Sequence, residues 1–460
     1  MSTDETLYVP HIIAGRLCED YEVEYRSGGT SFMTPKLDLD GLVHPRGELP
    51  PAYNLPVSEI IDFLVAVGER LDFDKNNWLA KSVEATANSN PLDRRVVENI
   101  FRDIATFFRR DVLEFEVEQT LGGPELLDTW REVVDFTGRK VRVRAFPPRL
   151  VHILAGNSPG VAAMSITRSA LSKGVCVLKL ASNDLFTASA ILRTMTEVDP
   201  HHPVVRSISA VYWRGGDASV EQVLYRPQYC DKIVVWGGDS AINNVIKYLG
   251  PGIQMVAFDP KVSTSMIGRE AHVSEETQRK VAELSAIDIQ LLDQEACAAP
   301  RFQYVEGSAE EIDRYCEFLN EALHQDRKYG SACAAPPSPA VISEVEALRM
   351  FEPIYKVWGD TEGGGAVIRS PEPVTFHPIG KIVNIIPVNS LQDAVVFANP
   401  ATQTVGVWPP ERKAEVRDYL CAAGVQRVVA LGGANDMLPG LPHDGFLPLH
   451  RFMNWVADEG

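Results

Sequence analysis

From Arg149 onward, short apolar runs alternate with amphipathic stretches, and this alternation restricts the fold more than any other feature. RLVHILAG, GVCVLKLA, SISAVYW, DKIVVWGG and IQMVAFD each read as a buried strand. MSITRSALSKG, DLFTASAILRTMTEV, ASVEQVLYR and SAINNVIKYLG lie between them and read as helices. Strands that are apolar throughout, each followed by a helix, predict a parallel sheet covered on both faces. Ligands of such sheets bind at the carboxyl ends of the strands. A second series follows, with helices SEETQRKVAELSAI and EEIDRYCEFLNEALHQ and strands KIVNIIPV, TQTVGVWP and VQRVVALGG. Two series predict two α/β lobes with a boundary near residue 262. Upstream, residues 1–57 carry Pro and Gly at intervals and alternating segments such as YEVEY, which predict hairpins or an arm rather than a packed core. Two amphipathic helices are expected next. One starts at Ser58; a longer one starts at about Asp93, where Val96, Val97, Ile100, Ile104, Phe107 and Phe108 recur at helical spacing. The final stretch, LPHDGFLPLHRFMNWV, is expected to pack back on the body.

A chain of 460 residues, 45% hydrophobic and 23% charged, suits a globular protein of two or three domains. The formal net charge of −18 disfavours nucleic acid, so none is expected as a partner, and any phosphate site must be built locally. The seven cysteines are odd in number, and none pairs at CxxC spacing. That argues against a disulfide scaffold or a zinc cluster and for a reducing compartment, with the cytoplasm as the expected location. No His, Cys and carboxylate grouping has metal spacing, so no metal is expected. MSTDETLYVPH lacks the basic and apolar regions of a signal peptide. No apolar run reaches the roughly 18 residues of a membrane span.

Four short segments carry chemical potential, and each has a bland alternative. In AGNSPG, Asn157 follows a strand; its side-chain amide suits an oxyanion, or it merely forms a turn before Ser-Pro. Lys179 closes the apolar strand VCVLKL, where it reaches a ribose or its 2′-phosphate, or simply brings its charge to the edge. In WGGDSAIN, Trp236, Gly237, Gly238 and Ser240 stand where a strand gives way to a helix. The glycines allow close approach and the helix start offers N–H groups to an anion, although Asp239 competes for them. The alternative is an ordinary capped turn. In LLDQEACAAPRF, Cys297 sits among small residues that leave room for a substrate carbon at the sulfur. A thiolate there attacks acyl donors; the alternative is a small buried hydrophobe, which suits Cys176, Cys316 and Cys421.

Taken together, AGNSPG, VLKL, IVVWGGDSAIN and QEACAA resemble, in order and spacing, the Asn loop, cofactor-lysine strand, glycine turn and catalytic-cysteine loop of the aldehyde-dehydrogenase superfamily. The resemblance covers roughly residues 93–460. With FDPKVS, DQEACAAP and HDGFLPLHRFMNWV added, it is nearest to the long-chain acyl-CoA reductases of bacterial bioluminescence operons (LuxC type). The resemblance implies an α/β, aldehyde-dehydrogenase-like fold: a Rossmann-like cofactor domain, a catalytic domain and a small oligomerisation element. On it, residues 1–262 hold the arm and cofactor domain, 263–440 the catalytic domain, and 441–460 a segment packing back. It further implies NADPH as cofactor, acyl-CoA or an acylated partner protein as donor, and a homo-oligomer. Cys297 becomes the acyl carrier, with Asn157 and the Cys297 N–H on the oxyanion. Lys179 recognises the cofactor, and Trp236, Gly237, Gly238 and Ser240 shape its pyrophosphate site. His443 and His450 supply protons, contact CoA or are structural. One departure is informative. The general-base Glu of oxidising members corresponds to Ala257 in AFDPK, so hydrolysis is expected to be slow and thiol exchange favoured. An aldehyde-oxidising enzyme and a non-catalytic subunit of an acyl-transfer complex are the rival readings.

Overall fold

A computed structural model describes residues 6–27 and 30–459 of the chain. They form two compact units: one from Met1–Asn90, Ile100–Asp259 and Leu438–Gly460, the other from Pro91–Asn99 and Pro260–Met437.

The first unit is built on a seven-stranded sheet. Its order is Gln254–Phe258, Lys232–Trp236, Arg149–Ile153, Val175–Lys179, Ile208–Val211, His11–Ile13 and Arg16–Cys18. The first five are parallel and are the five apolar runs of the sequence. Because the strands are covered on both faces, alternation has no use there. Ile153, Val177, Val211, Ile233 and Val235 pack with Val220, Leu224 and Val245 of the helices Ala218–Leu224 and Asp239–Ile246.

The N-terminal region forms hairpins as expected, but one of them joins the packed core. His11–Ile13 pairs antiparallel with Ile208–Val211 and is buried, with His11 fully enclosed. The physical reason is edge protection: a short β-prone segment covers what would be a bare parallel edge. The Tyr212 N–H donates to His11 Nε2 at 3.2 Å, and burial drives the imidazole down to about 4, so it is neutral. The long helix expected from Asp93 is also divided, into Arg94–Asp103, the 3-10 turn Ile104–Phe108 and the helix Arg110–Leu121. Gly68, in the helix Val57–Arg70, lies so near Phe108 that an added Cβ would come 2.7 Å from the Phe108 Cβ. A separate three-stranded sheet joins Arg131–Val134, Lys140–Phe146 and Asn454–Asp458.

The second unit holds another seven-stranded sheet, in the order Lys356–Asp360, Gly365–Arg369, Ile382–Val388, Pro300–Glu306, Val262–Ile267, Thr402–Trp408 and Arg427–Ala430. All but the edge strand Lys356–Asp360 run parallel. One face buries Ile267, Val305, Val367, Val383 and Ile385 under the helices Glu275–Ile289 and Ala309–Leu323. The other buries Met266, Tyr304, Ile386 and Val407 under Val416 and Leu420. Residues 91–99 group here through Arg95, which donates to Arg327 O at 2.6 Å and Gly330 O at 2.8 Å. No helix of the described residues is long and apolar enough to cross a membrane.

Arg168 and Glu116 form a fully buried pair at 2.6 Å inside the first unit. Removing one partner strands the other's charge in a region without water. Arg168→Met or Glu116→Leu alone is therefore expected to cost about 3–5 kcal/mol, and the double replacement much less. Urea unfolding of the three variants checks this; equal losses for single and double variants would contradict it.

Candidate active site

Among the parallel strands of the first unit's sheet, Arg149–Ile153 comes first in the chain. The second parallel strand, Val175–Lys179, lies on one side of it and the fourth, Lys232–Trp236, on the other. Strand order reverses there, and such a reversal opens a ligand crevice at the carboxyl ends. Ile153 is in register with both Lys179 and Val235, so the three strand ends are level. The structure thus brings together Asn157, Lys179 and the turn Trp236 to Ser240 at one sheet edge.

Asn157 is half-buried on a pinned loop. Asn90 Nδ2 donates to Gly156 O at 2.7 Å. The bare Gly156 backbone lies against the Asn183 side chain, where a Cβ would come 1.7 Å from Oδ1. Lys179 is also half-buried, donates to Leu180 O at 3.3 Å and lies 5.5 Å from the Tyr212 ring centroid. Burial pulls its ammonium down to about 8, against the opposing pull of Glu221. Sequence reasoning missed Glu221. It is enclosed and accepts from Gly216 N at 3.0 Å, Asn244 Nδ2 at 2.8 Å and Trp213 Nε1 at 3.3 Å. An acid on the buried face of ASVEQVLYR was the only available signal.

Gly238 starts the helix Asp239–Ile246 with no side-chain cap, and a Cβ on it would meet nothing within 4 Å. Gly238, Asp239 and Ser240 are exposed. Open space above an uncapped helix start, beside a half-buried ammonium, fits the pyrophosphate and adenosine ribose of a dinucleotide. Asp239 opposes a phosphate there. Trp236 is buried: its indole stacks on Phe258 with centroids 3.6 Å apart, and His443 meets both rings edge-on. It anchors the turn, while the glycines and Ser240 form its open surface. Ala257 precedes Phe258 in the same strand. His450 is exposed and tilted against Trp455.

Cys297 belongs to the second unit and is a partly exposed thiol outside any disulfide. It precedes the strand Pro300–Glu306, so it stands at that strand's amino end. Three successive residues ahead of it, Leu292, Asp293 and Gln294, have φ of 52°, 49° and 71°. None is glycine, so the surroundings must hold this turn. Leu292 N donates to Tyr329 O at 2.7 Å. The Asp293 carboxylate accepts from Ser331 N at 2.7 Å and Ser331 Oγ at 2.9 Å. Gln294 Nε2 donates to Pro300 O at 3.2 Å and Ile382 O at 2.8 Å. Ser263 Oγ donates to Cys297 O at 2.6 Å. The fully buried Lys381 donates to Ser331 O and Ala332 O, and burial brings it down to about 8. Asp293, Gln294, Ser331, Lys381 and Ser263 were not identified from the sequence. Only the DQ of DQEAC hinted at them.

Chemically, the second unit presents a thiol on a fixed turn among alanines. The first presents a carboxamide, an ammonium and an anion-receptive turn at a strand-order reversal.

A family model described as Acyl-CoA reductase (LuxC) matches residues 52–455. The chain is 32% identical over 357 residues to a long-chain acyl-protein thioester reductase of Photorhabdus luminescens, covering 75% of this chain and 69% of the relative. It is 28% identical over 469 residues to one of Vibrio harveyi, covering 98% and 93%. Among solved structures, an oxidoreductase from Marinobacter aquaeolei superposes with a TM-score of 0.72 at 13% identity, covering 98% of both chains. NADP-dependent glyceraldehyde-3-phosphate dehydrogenase from Bacillus halodurans, complexed with NADP, superposes with a TM-score of 0.71 at 12% identity, covering 99% and 100%. At such identities the likeness shows the fold, which is that of the aldehyde dehydrogenases.

The clamp on Asp293 yields a direct expectation. Asp293→Ala leaves the Ser331 N–H and hydroxyl without their acceptor, at a cost of about 1–3 kcal/mol. Amide hydrogen exchange should quicken across residues 290–299, and Asp293→Asn should retain part of the protection. Unchanged exchange in Asp293→Ala would show that the turn is held by other means.

Proposed function

The chain belongs to the LuxC family of acyl-CoA reductases, and from that membership we propose that it reduces a long-chain acyl thioester to the aldehyde, with NADPH as reductant and Cys297 as the acyl carrier. The observation that carries this reading is a partly exposed thiol, outside any disulfide, on a turn held from several sides, with small neighbours at Ala296, Ala298 and Ala299. The relatives named above reduce acyl-protein thioesters by their names, which favours an acylated partner protein as donor. Acyl-CoA carries the same thioester bond and serves as its small-molecule surrogate.

The Cys297 thiolate attacks the donor carbonyl, a new C–S bond forms, and the donor leaves as a thiolate that needs no strong acid. The Asn157 side-chain amide and the Cys297 N–H stabilise the oxyanion. A side-chain donor in that role typically contributes about 3 kcal/mol. NADPH, when bound, supplies hydride to the carbonyl carbon. The tetrahedral alkoxide then re-forms C=O, the Cys297 C–S bond breaks, and the aldehyde departs. Lys179 recognises the adenosine ribose and its 2′-phosphate, while Gly237, Gly238 and Ser240 line the pyrophosphate. Ala257 offers no carboxylate to activate water, which preserves the acyl-enzyme for reduction. Exposed Phe136, Val134 and Trp455 at the three-stranded sheet support a homo-oligomer.

Incubation with a long-chain acyl-CoA should add one acyl mass to the peptide bearing Cys297. Cys297→Ser should abolish aldehyde formation while NADPH affinity stays within about twofold. Acylation at another cysteine, or lost cofactor binding, would overturn the assignment. Rapid release of free acid from aldehyde and NADP+ without a thiol would instead indicate an oxidising enzyme.

Lys179→Ala should weaken NADPH more than NADH, by on the order of tenfold, since a charge-assisted contact to phosphate is worth about 1.5–3 kcal/mol. Its ammonium is charged below about 8 and neutral above it, so wild-type NADPH affinity should fall as pH rises through that value. Equilibrium fluorescence titration from pH 6.5 to 9.5 tests this; a fall that persists in Lys179→Ala would implicate another group.

A further inference from the structure

An open cavity of about 320 Å³ in the first unit is lined by Glu24, Tyr25, Arg214, Gly215, Gly216 and Asp217. It lies past the carboxyl end of the strand Ile208–Val211, whose Val211 is in register with Lys179. Direct contacts tie its walls to the residues proposed for the cofactor. Lys179 Nζ is 5.5 Å from the Tyr212 ring centroid, and the Tyr212 ring meets Tyr25 edge-on at 4.8 Å. From the other side, the enclosed Glu221 accepts from Gly216 N at 3.0 Å and from Asn244 Nδ2 at 2.8 Å. Asn244 belongs to the helix Asp239–Ile246, whose start is the open turn described above. The floor is bare backbone: a Cβ on Gly215 would meet nothing within 4 Å, and Gly216 has a φ of 86°. The outer wall is the hairpin of Tyr21–Ser27 and Thr30–Pro35, which lies ahead of the family-matched residues 52–455. Tyr25 and Phe32 seat it on Tyr212, with Phe32 at 4.9 Å.

The charged groups of the cavity differ in their commitments. Glu24 accepts from Arg26 Nε at 3.2 Å and Ser31 Oγ at 3.1 Å, both on its own hairpin. Asp217 accepts from Ser219 N at 3.0 Å and Ser219 Oγ at 2.6 Å. Arg214 Nη2 donates to Arg26 O at 3.2 Å, a bond that ties the guanidinium to the hairpin, and Arg214 makes no ion pair among the described residues. A dinucleotide laid across a strand-order reversal carries its adenosine on one half of the sheet, where an arginine accommodates a 2′-phosphate. The planar guanidinium can offer such a phosphate two parallel donors. We propose that this cavity receives the 2′-phosphate of NADPH, with Arg214 as its partner and the N-terminal hairpin as the wall that positions Arg214. The inference rests on the proposed cofactor site and adds to it the group that selects the phosphorylated dinucleotide. Lys179 approaches the same ribose from the sheet and Arg214 from the hairpin. Glu24 and Asp217 oppose a phosphate, which limits the gain and makes Glu24 a second handle for a test.

The test is calorimetric titration of the full chain with 2′,5′-ADP and with 5′-AMP, which differ only in the 2′-phosphate and involve neither the nicotinamide nor Cys297. The wild type should bind 2′,5′-ADP about tenfold or more tightly than 5′-AMP. Arg214→Gln should remove most of that difference while 5′-AMP stays within about twofold. Arg214→Lys should keep part of it, because lysine retains the charge but not the paired donors. Glu24→Gln should tighten 2′,5′-ADP by about twofold or more, as expected for one exposed charge, and leave 5′-AMP unmoved. Arg214 is exposed, so its variants should keep the wild-type melting temperature. Equal affinities in the wild type, or a preference that survives Arg214→Gln, would overturn the inference. So would weaker 5′-AMP binding in Glu24→Gln, since Glu24 would then hold the unmodified ribose hydroxyl. Equal affinities in a protein that still forms aldehyde would refute this inference and leave the proposed function standing. An Arg214-dependent preference in a protein that forms no aldehyde would do the reverse.

Discussion

Everything proposed for the sulfur depends on a turn that the backbone alone would not choose. Leu292, Asp293 and Gln294 all sit in the left-handed region, and each such non-glycine residue costs on the order of 1 kcal/mol or more. The surroundings offset this with bonds that only this geometry permits. Asp293 meets Ser331, Gln294 spans from Pro300 to Ile382, and Ser263 takes the Cys297 carbonyl. The consequence is that the backbone of the proposed nucleophile is fixed before any substrate arrives, which is what pre-organised catalysis requires.

The same region concentrates cations that have lost water. Lys381 and Arg301 are buried, and both are drawn below their ordinary values by desolvation. Lys381 spends its charge on the carbonyls of Ser331 and Ala332, which fixes the loop that grips Asp293. Arg301 donates from Nη1 to Pro378 O at 3.2 Å.

The five parallel strands of the first unit and three of the second were legible because a strand buried on two faces writes an unbroken apolar run, as in DKIVVWGG and KIVNIIPV. Cys297 was legible through its alanine neighbours and its place in the motif order. Four strands of the second sheet were not, among them two at its centre. Val262–Ile267 reads VSTSMI and Pro300–Glu306 reads PRFQYVE, and neither looks like a core strand. Part of their buried polar groups is bonded: Ser263 serves Cys297 O and Thr404 N, and Gln303 accepts from Tyr315 at 2.8 Å. The clamps on the cysteine turn were invisible for a related reason. Gln294 reaches Ile382, a separation of 88 residues, and Asp293 reaches Ser331 across 38, so no local pattern records them. His11–Ile13 went unrecognised because three residues cannot show a period.

One further feature bears on how the protein is made. Lys232, inside the sheet of the first unit, donates to Arg451 O at 2.9 Å and Met453 O at 2.6 Å. Those acceptors emerge from the ribosome more than two hundred residues after the lysine they satisfy. Until they arrive, the sheet holds an ammonium whose partners do not yet exist, while the second unit already has its whole sequence available. Vectorial synthesis thus lets the later-encoded body mature first, and the earlier-encoded one is sealed by the tail.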